Sequence, residues 1–314
     1  MTERLDVVTL GEAMLMLVAD EPGPLEQVQG FHKRTAGAET NVATGLSRLG
    51  LRVGWASRLG QDSMARYLLD SLQAEGIDCS HVVCDPAQRT GFQFKGRVTD
   101  GSDPQVEYHR KGSAASQMGP ADLDIPWLQW ARHLHVTGVF PALSPSTLAA
   151  TRASIVAMRA AGRTISFDPN LRPTLWATPE FMRETLNELA AQCDWVLPGV
   201  QEARFLTGLE QPEDMAAFYR SQGASLVVIK LGPQGAYFDG LEGKGYAAAF
   251  PVETVIDTVG AGDGFAVGVI SALLGGLSMR KAVERGAWIG ARAIQVLGDN
   301  EGLPTAAELQ TAGF

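Results

Sequence analysis

The chain has 314 residues, of which 45% are hydrophobic and 19% charged, enough apolar material for a substantial core and unlike a disordered or fibrous chain. Its 35 acidic and 26 basic residues leave a formal charge of -9, which argues against a nucleic-acid surface or a basic membrane face and obliges any anionic ligand to find local positive charge. Cys79, Cys84 and Cys193 form no even set and no Cys-x-x-Cys pair, so they read as buried, unreactive thiols rather than a disulfide framework or metal site.

The first residues, MTERLDVVTL, lack the basic start and apolar run of a signal peptide. The longest apolar stretch, 265–277, is shorter than the roughly 20 residues that span a bilayer. The expectation is a soluble, cytoplasmic protein with no membrane or nucleic-acid partner. Short β-type runs at 6–11, 53–58, 134–138, 164–168, 195–198 and 225–230 alternate with helical spacing at 41–49, 63–74, 146–160, 179–191 and 213–221. That rhythm predicts an α/β fold with a mostly parallel central sheet covered by helices. Two stretches break it, 15–36 and 82–116, the second with antiparallel-type alternation at 91–98 and 105–110. Both are expected to form one small β lid over the C-terminal edge of the sheet, where open α/β folds bind ligands. With no repeat or polar linker, 1–314 reads as one catalytic unit.

The segment Asp257-Thr-Val-Gly260-Ala261-Gly262-Asp263-Gly264-Phe265, followed by AVGVISALL, carries the most chemistry. Glycines at 260 and 262 let backbone N–H groups approach a ligand, and the following helix start adds partial positive charge, so the segment can cradle phosphate. Asp263 is out of place beside phosphate unless it has another task, such as taking a proton from an attacking hydroxyl. A plainer reading keeps it as a first-turn acid and the glycines as turn formers. A dinucleotide fingerprint is unsupported, since Phe265 stands where its third glycine would be, and no Walker-type Gly-Lys-Ser/Thr occurs.

This segment resembles the C-terminal signature of the ribokinase-like (PfkB) carbohydrate kinases over residues 257–270. Their N-terminal signature is similar to Ala36-Gly37-Ala38-Glu39-Thr40-Asn41-Val42-Ala43, with Gly50 and Gly60 following. The resemblance implies a three-layer α/β/α fold with a β lid, and transfer of the γ-phosphoryl group of ATP to a sugar hydroxyl. Such transfer needs positioning and electrostatic stabilisation, and a lid keeps water from competing. By the same resemblance Asp263 is the base, and the N–H groups of Gly260, Ala261 and Gly262 hold the transferring phosphoryl group. Lys230-Leu-Gly232-Pro-Gln-Gly235 matches the nucleotide loop. Lys230, Gly232, Gly235, Gly260 and Gly262, with Asn170 and Arg172, are then the implied ATP contacts, although the glycine turn alone reads equally as a hairpin. Where family members often carry Asn-x-x-Glu, this chain has Gly199-Val-Gln-Glu202, and Glu202 is implied to hold Mg²⁺ through water.

Three local patterns are similar to the members acting on 2-keto-3-deoxygluconate: Tyr108-His-Arg110-Lys-Gly-Ser113-Ala, Asp168-Pro-Asn170-Leu-Arg172-Pro-Thr-Leu-Trp176 and Gly298-Asp299-Asn-Glu301-Gly. A guanidinium bonds a carboxylate bidentately, so an acid sugar suits Arg110 or Arg172. The resemblance places Arg110 and Tyr108 on the sugar acid, Arg172 between sugar and ATP, and Asp299 on a hydroxyl. Arg110 could equally be solvated and Asp299 a loop acid. Gly37, Glu39 and Asn41 are expected on the substrate floor, Glu39 alternatively as a helix-start acid. Phe94, with Phe92, is expected to shield the sugar, meet a second subunit or form lid core. His133 and His135 share a strand face without an acidic or cysteine partner nearby, which does not favour a metal site. The runner-up is a fructokinase-like ketose kinase, and a silent sugar- or nucleotide-binding protein is the reading from another class. Exposed lid edges leave a homo-oligomer open.

Overall fold

In the computed structural model, which describes residues 4–98, 104–256 and 258–314, the strands form two sheets. In chain order they are β1 (Val7–Leu10), β2 (Met14–Ala19), β3 (Phe31–Ala36), β4 (Val53–Gly60), β5 (Val82–Asp85), β6 (Phe92–Lys95), β7 (Val106–His109), β8 (His133–Thr137), β9 (Thr164–Asp168), β10 (Trp195–Val196), β11 (Leu226–Lys230), β12 (Ala236–Gly240) and β13 (Gly243–Ala247). The helices are α1 (Ala38–Arg48), α2 (Ser63–Ala74), α3 (Ile125–Trp130), α4 (Pro145–Ala160), α5 (Pro179–Ala190), α6 (Val200–Thr207), α7 (Pro212–Ser221), α8 (Ala261–Leu274), α9 (Met279–Ala293) and α10 (Ala306–Thr311).

The large sheet has the order β13-β12-β11-β10-β9-β8-β1-β4-β5. It is parallel from β11 to β5 and ends in the antiparallel hairpin β12–β13. Strands covered on both faces need apolar residues at nearly every position, which is why VVTL of β1 and LVVI of β11 are unbroken and buried. One face carries the core of α3 to α7 and the other that of α1, α2, α8 and α9, giving three α/β/α layers. The small sheet has the order β3-β2-β6-β7 and is the lid. Both ends of the large sheet's centre matter for the site: β8 and β4 flank β1 on opposite sides, so the strand order reverses there and opens a crevice at the C-terminal ends.

Several boundaries differ from the sequence reading. β5, expected within the lid segment 82–116, pairs in parallel with β4 at the edge of the large sheet. Lid strands β2 and β6 pair in parallel, while β6 and β7 are antiparallel as their alternation suggested. Helix α1 starts at Ala38, three residues before the expected 41, because Gly37 at φ 145 turns the chain directly into it. Cys79 and Cys193 are buried, but Cys84 is exposed on the edge strand, contrary to the expectation of three buried thiols.

Candidate active site

The C-terminal ends of β1, β8, β9 and β11, the start of α8 and the inner face of the lid enclose a cavity of about 410 Å³. Gly260 caps α8 at φ 86, and a Cβ there would lie 2.3 Å from the Asp299 main-chain oxygen, so both the turn and the close approach require glycine. The Gly264 N–H makes the first helical bond, to Gly260 O at 2.8 Å. The N–H groups of Ala261, Gly262 and Asp263 therefore have no partner within the helix, and the positive end of α8 meets the cavity at Gly260, Gly262 and Asp263. Asp257, the first residue of the motif, lies outside the described residues.

Asp263 is buried in this first turn, where Asn41 Nδ2 donates to its Oδ2 at 2.8 Å and Asn170 Nδ2 stands 3.5 Å from Oδ1. Burial pushes its pKa from 3.8 up to about 8; Asp168 and Asp299 add to the rise, and Asn41 and Arg172 oppose it. Asn41 presents its amide nitrogen to Asp263, and its oxygen faces Asn300 Nδ2 at 3.4 Å. Asn300 also reaches Thr35 at the end of β3, at 2.9 Å. Among the described residues Asn170 is the one non-glycine with positive φ, 39°, a strained conformation at the end of β9.

Two cations flank the helix start. Lys230, at the end of β11, places Nζ 2.6 Å from Asp168 Oδ2 and would lie 3.4 Å from a Cβ on Gly262. Burial alone would lower its pKa, but Asp168 and Glu202 outweigh burial and raise it, so the ammonium stays charged. Arg172 lines the cavity, donates Nη1 to Leu171 O at 2.9 Å and has no carboxylate within ion-pair distance among the described residues. A helix N-terminus with Lys230 and Arg172 beside it, and the buried Asp263 carboxyl of raised pKa in its first turn, can stabilise a transferring phosphoryl group while a hydroxyl loses its proton.

The other end of the cavity is built by the lid. Arg110 is 8% exposed and donates from Nε to Glu12 Oε2 at 2.7 Å, with Nη2 2.6 Å from the same oxygen. The solvated alternative for Arg110 is thereby excluded. Tyr108, 50% exposed, lines the rim with its ring 5.9 Å from the Arg110 guanidinium carbon. Asp299 is buried and pairs with Lys95 Nζ at 2.9 Å, so it is not a solvated loop acid. Gly37 also lines the cavity; a Cβ there would meet Glu12 O at 2.5 Å.

Glu39 and Phe94 do not line it. Glu39 is two helical positions past Gly37 and turns away from the Gly37–Asn41 face. It lies fully buried, accepts from Thr137 Oγ1 at 2.6 Å, and its pKa is raised to about 7 by burial. Phe94 belongs to the opposite face of β6 and packs on Phe31, Phe92 and His109, while Gln93 and Lys95 face inward. Gly232 and Gly235 sit in the β11–β12 turn and do not line the cavity either; Gly235 packs against the Ala247 main chain. Glu12, Gln93, Lys95, Asp168 and Asn300 are additional members that the sequence reading did not single out as site residues.

Glu202 lines the cavity with both oxygens engaged, Oε1 by Leu171 N–H at 2.8 Å and Oε2 by Gly199 N–H at 2.7 Å. Burial, with Asp168 nearby, raises its pKa. The second bond makes Gly199 the N-cap of α6 and Glu202 its capping carboxylate. Among the described residues no group of three or more His, Cys, Asp or Glu could hold a metal ion. A divalent cation fits here only if its ligands are mainly phosphate oxygens and water, with Glu202 and Asp168 beyond them. His133 and His135 bond Thr164 and Ser166 inside the sheet, and burial lowers both pKa values, that of His135 to about 3. Among the described residues no helix is long and apolar enough to cross a membrane.

A three-layer α/β/α fold whose cavity joins a helix start, Lys230, Arg172 and the buried Asp263 under a lid defines a phosphotransferase. The chain belongs to the pfkB family of carbohydrate kinases, whose profile matches residues 4–306. It is 49% identical to the 2-dehydro-3-deoxygluconokinase of Bacillus subtilis (strain 168), over 98% of this chain and 94% of that protein. The crystal structure of a PfkB protein from Polaromonas sp. JS666 superposes with a TM-score of 0.91 at 69% identity, covering 98% of this chain and 99% of that one. That of a putative ribokinase II from E. coli, in complex with ATP and Mg²⁺, superposes with a TM-score of 0.90 at 27% identity, covering 98% of each chain.

Proposed function

We propose that the protein, as one catalytic unit, transfers the γ-phosphoryl group of ATP to a hydroxyl of a keto-sugar acid, 2-keto-3-deoxygluconate (2-dehydro-3-deoxygluconate). The observation that carries the reading is Asp263 in the first turn of α8, in one cavity with Lys230 and Arg172. The acceptor hydroxyl oxygen attacks the γ-phosphorus, its proton passes to Asp263, and the bond from phosphorus to the ADP oxygen breaks. The N–H groups of Gly260, Ala261 and Gly262 and the charges of Lys230 and Arg172 stabilise the phosphoryl oxygens. Asn41 orients Asp263, and Asn170 and Arg172 lie where sugar and nucleotide meet. Mg²⁺, carried on the nucleotide phosphates with Glu202 and Asp168 holding its waters, would neutralise phosphate charge. The ATP- and Mg²⁺-bound E. coli relative supports both ligands.

Arg110 and Tyr108 at the lid end support a carboxylate-bearing acceptor, as does the Bacillus relative. Asp299 binds a substrate hydroxyl. A neutral ketose is the second reading, favoured by Glu12, whose carboxylate already balances the Arg110 charge. A silent binding protein is disfavoured, because binding alone would not need a base at Asp263. The test is ADP release from Mg-ATP with 2-keto-3-deoxygluconate, fructose, tagatose, ribose, an aminoimidazole riboside or no sugar. Preference for the keto acid supports the proposal, preference for fructose or tagatose transfers it to the second reading, and no release with any acceptor contradicts both.

A further inference from the structure

Lys95 is a long cationic side chain on a lid strand, a setting in which lysine ordinarily reaches solvent. Here it is 1% exposed, lines the cavity and places Nζ 2.9 Å from Asp299 Oδ1, across 204 residues of sequence. Alternation along β6 turns Lys95 and Gln93 inward and Phe94 outward, so strand geometry itself aims the ammonium at the site. Its partner is held just as firmly: the Asp299 main-chain oxygen abuts Gly260, the cap of the helix that carries Asp263. The neighbouring residues bind the same loop to the lid, Asn300 to Thr35 at 2.9 Å and Arg34 to Glu301 at 2.8 Å.

A buried ion pair offers little net stability over an apolar pair of the same volume, so its presence in the wall of a binding cavity calls for another use. An ammonium beside a carboxylate provides a donor and an acceptor together, which is the complement of a hydroxyl: the hydroxyl donates to Asp299 and accepts from Lys95. We infer that Lys95 is a substrate-binding, specificity-determining residue that acts with Asp299 to read the acceptor hydroxyl adjacent to the one phosphorylated. Proximity to the α8 cap places the pair beside the reacting position. The lid origin of Lys95 makes reading that hydroxyl and seating the lid one event. The inference rests on the kinase reading but not on the choice of acid sugar.

The test compares the preferred acceptor with its analogue carrying hydrogen in place of that adjacent hydroxyl. Wild type should show at least a tenfold lower KM for the intact acceptor, because a site built for a hydroxyl leaves buried polar groups unpaired without it. Lys95→Met should raise KM for the intact acceptor at least tenfold, change KM for the analogue less than threefold and leave kcat within threefold, abolishing the discrimination. Lys95→Arg should keep part of it. If Lys95→Met does not fold, because Asp299 is left buried without the Lys95 ammonium, the charge-balanced double variant Lys95→Met/Asp299→Asn is measured against Asp299→Asn alone. Equal discrimination in the two overturns the inference, and a further loss in the double variant supports it. Equal KM increases for both acceptors in Lys95→Met also overturn it while leaving the kinase reading intact. Absence of turnover with every acceptor removes both.

Discussion

Replacing Asp263 by Asn tests chemistry and electrostatics at one atom. The folded protein holds the Asp263 proton well beyond the usual carboxylate range, because burial raises its pKa to about 8. A folded pKa above the unfolded value means that this contribution to stability is fully present below about pH 4 and is lost as pH rises towards 8. A displacement from 3.8 to about 8, at about 1.4 kcal/mol per pH unit, sets an upper bound on the order of 6 kcal/mol for ionising the group in the fold. Asn cannot titrate, and its amide oxygen can still accept from Asn41. Asp263→Asn should therefore match wild type in stability near pH 4 and exceed it by a few kcal/mol at pH 8 to 9, read by urea denaturation at both ends. Glu39, raised to about 7, titrates in both proteins and cancels in the comparison. The same variant should lose about 10²- to 10⁴-fold in kcat, the usual worth of a positioned base, while binding nucleotide and acceptor within a few-fold of wild type. Undiminished turnover would refute the base assignment. A stability difference independent of pH would refute the electrostatic account of Asp263.

Wild-type kcat/KM should rise with pH, with its midpoint near the Asp263 value of about 8 and a plateau above it, since only the ionised form accepts a proton; a flat rate profile between pH 6 and 9 would contradict this. Arg110→Ala should raise KM for 2-keto-3-deoxygluconate by about tenfold or more through loss of a charged hydrogen bond, with much less effect on fructose. Equal increases in steady-state kinetics would remove its carboxylate role. Gly260→Ala sets a Cβ against Asp299 O at φ 86, so melting should show a loss of about 1 to 3 kcal/mol or more together with reduced kcat. Wild-type values for both would mean that the cap is not strained as described. Excess EDTA should abolish turnover and added Mg²⁺ restore it, whereas full activity in EDTA would eliminate the metal requirement.

The central strands were legible because a strand buried on both faces is mostly apolar and alternates with helical spacing, and β9 and α2 fall at the bounds expected for them. Edge elements were not: β5 has only four residues and mixed burial, and the hairpin β12–β13 ends in exposed glycine- and lysine-bearing sequence without strand signal. The glycine–aspartate motif identified the α8 end of the site because its chemistry is local in sequence. Errors at the lid end have geometric causes. Glu39 was assigned to the floor from its nearness to Gly37 and Asn41, although helical rotation turns it behind them, and of the readings open for Phe94 the pleat favours lid core, since it turns that ring away from the cavity. Glu12, Lys95 and Asp168 look like surface charges in sequence. Their burial becomes intelligible only with Arg110, Asp299 and Lys230, partners 98, 204 and 62 residues away.

The most direct measurement is a competition in which wild type, Mg-ATP and equal concentrations of 2-keto-3-deoxygluconate and fructose are mixed and the phosphorylated products are resolved by mass spectrometry and phosphorus NMR. The ratio of products equals the ratio of kcat/KM values. The account predicts a phosphorylated keto acid in large excess, with ADP formed in equal amount. Phosphorylated fructose in equal or greater amount would contradict the acid-sugar assignment, and ADP without either sugar phosphate would contradict phosphoryl transfer to these acceptors.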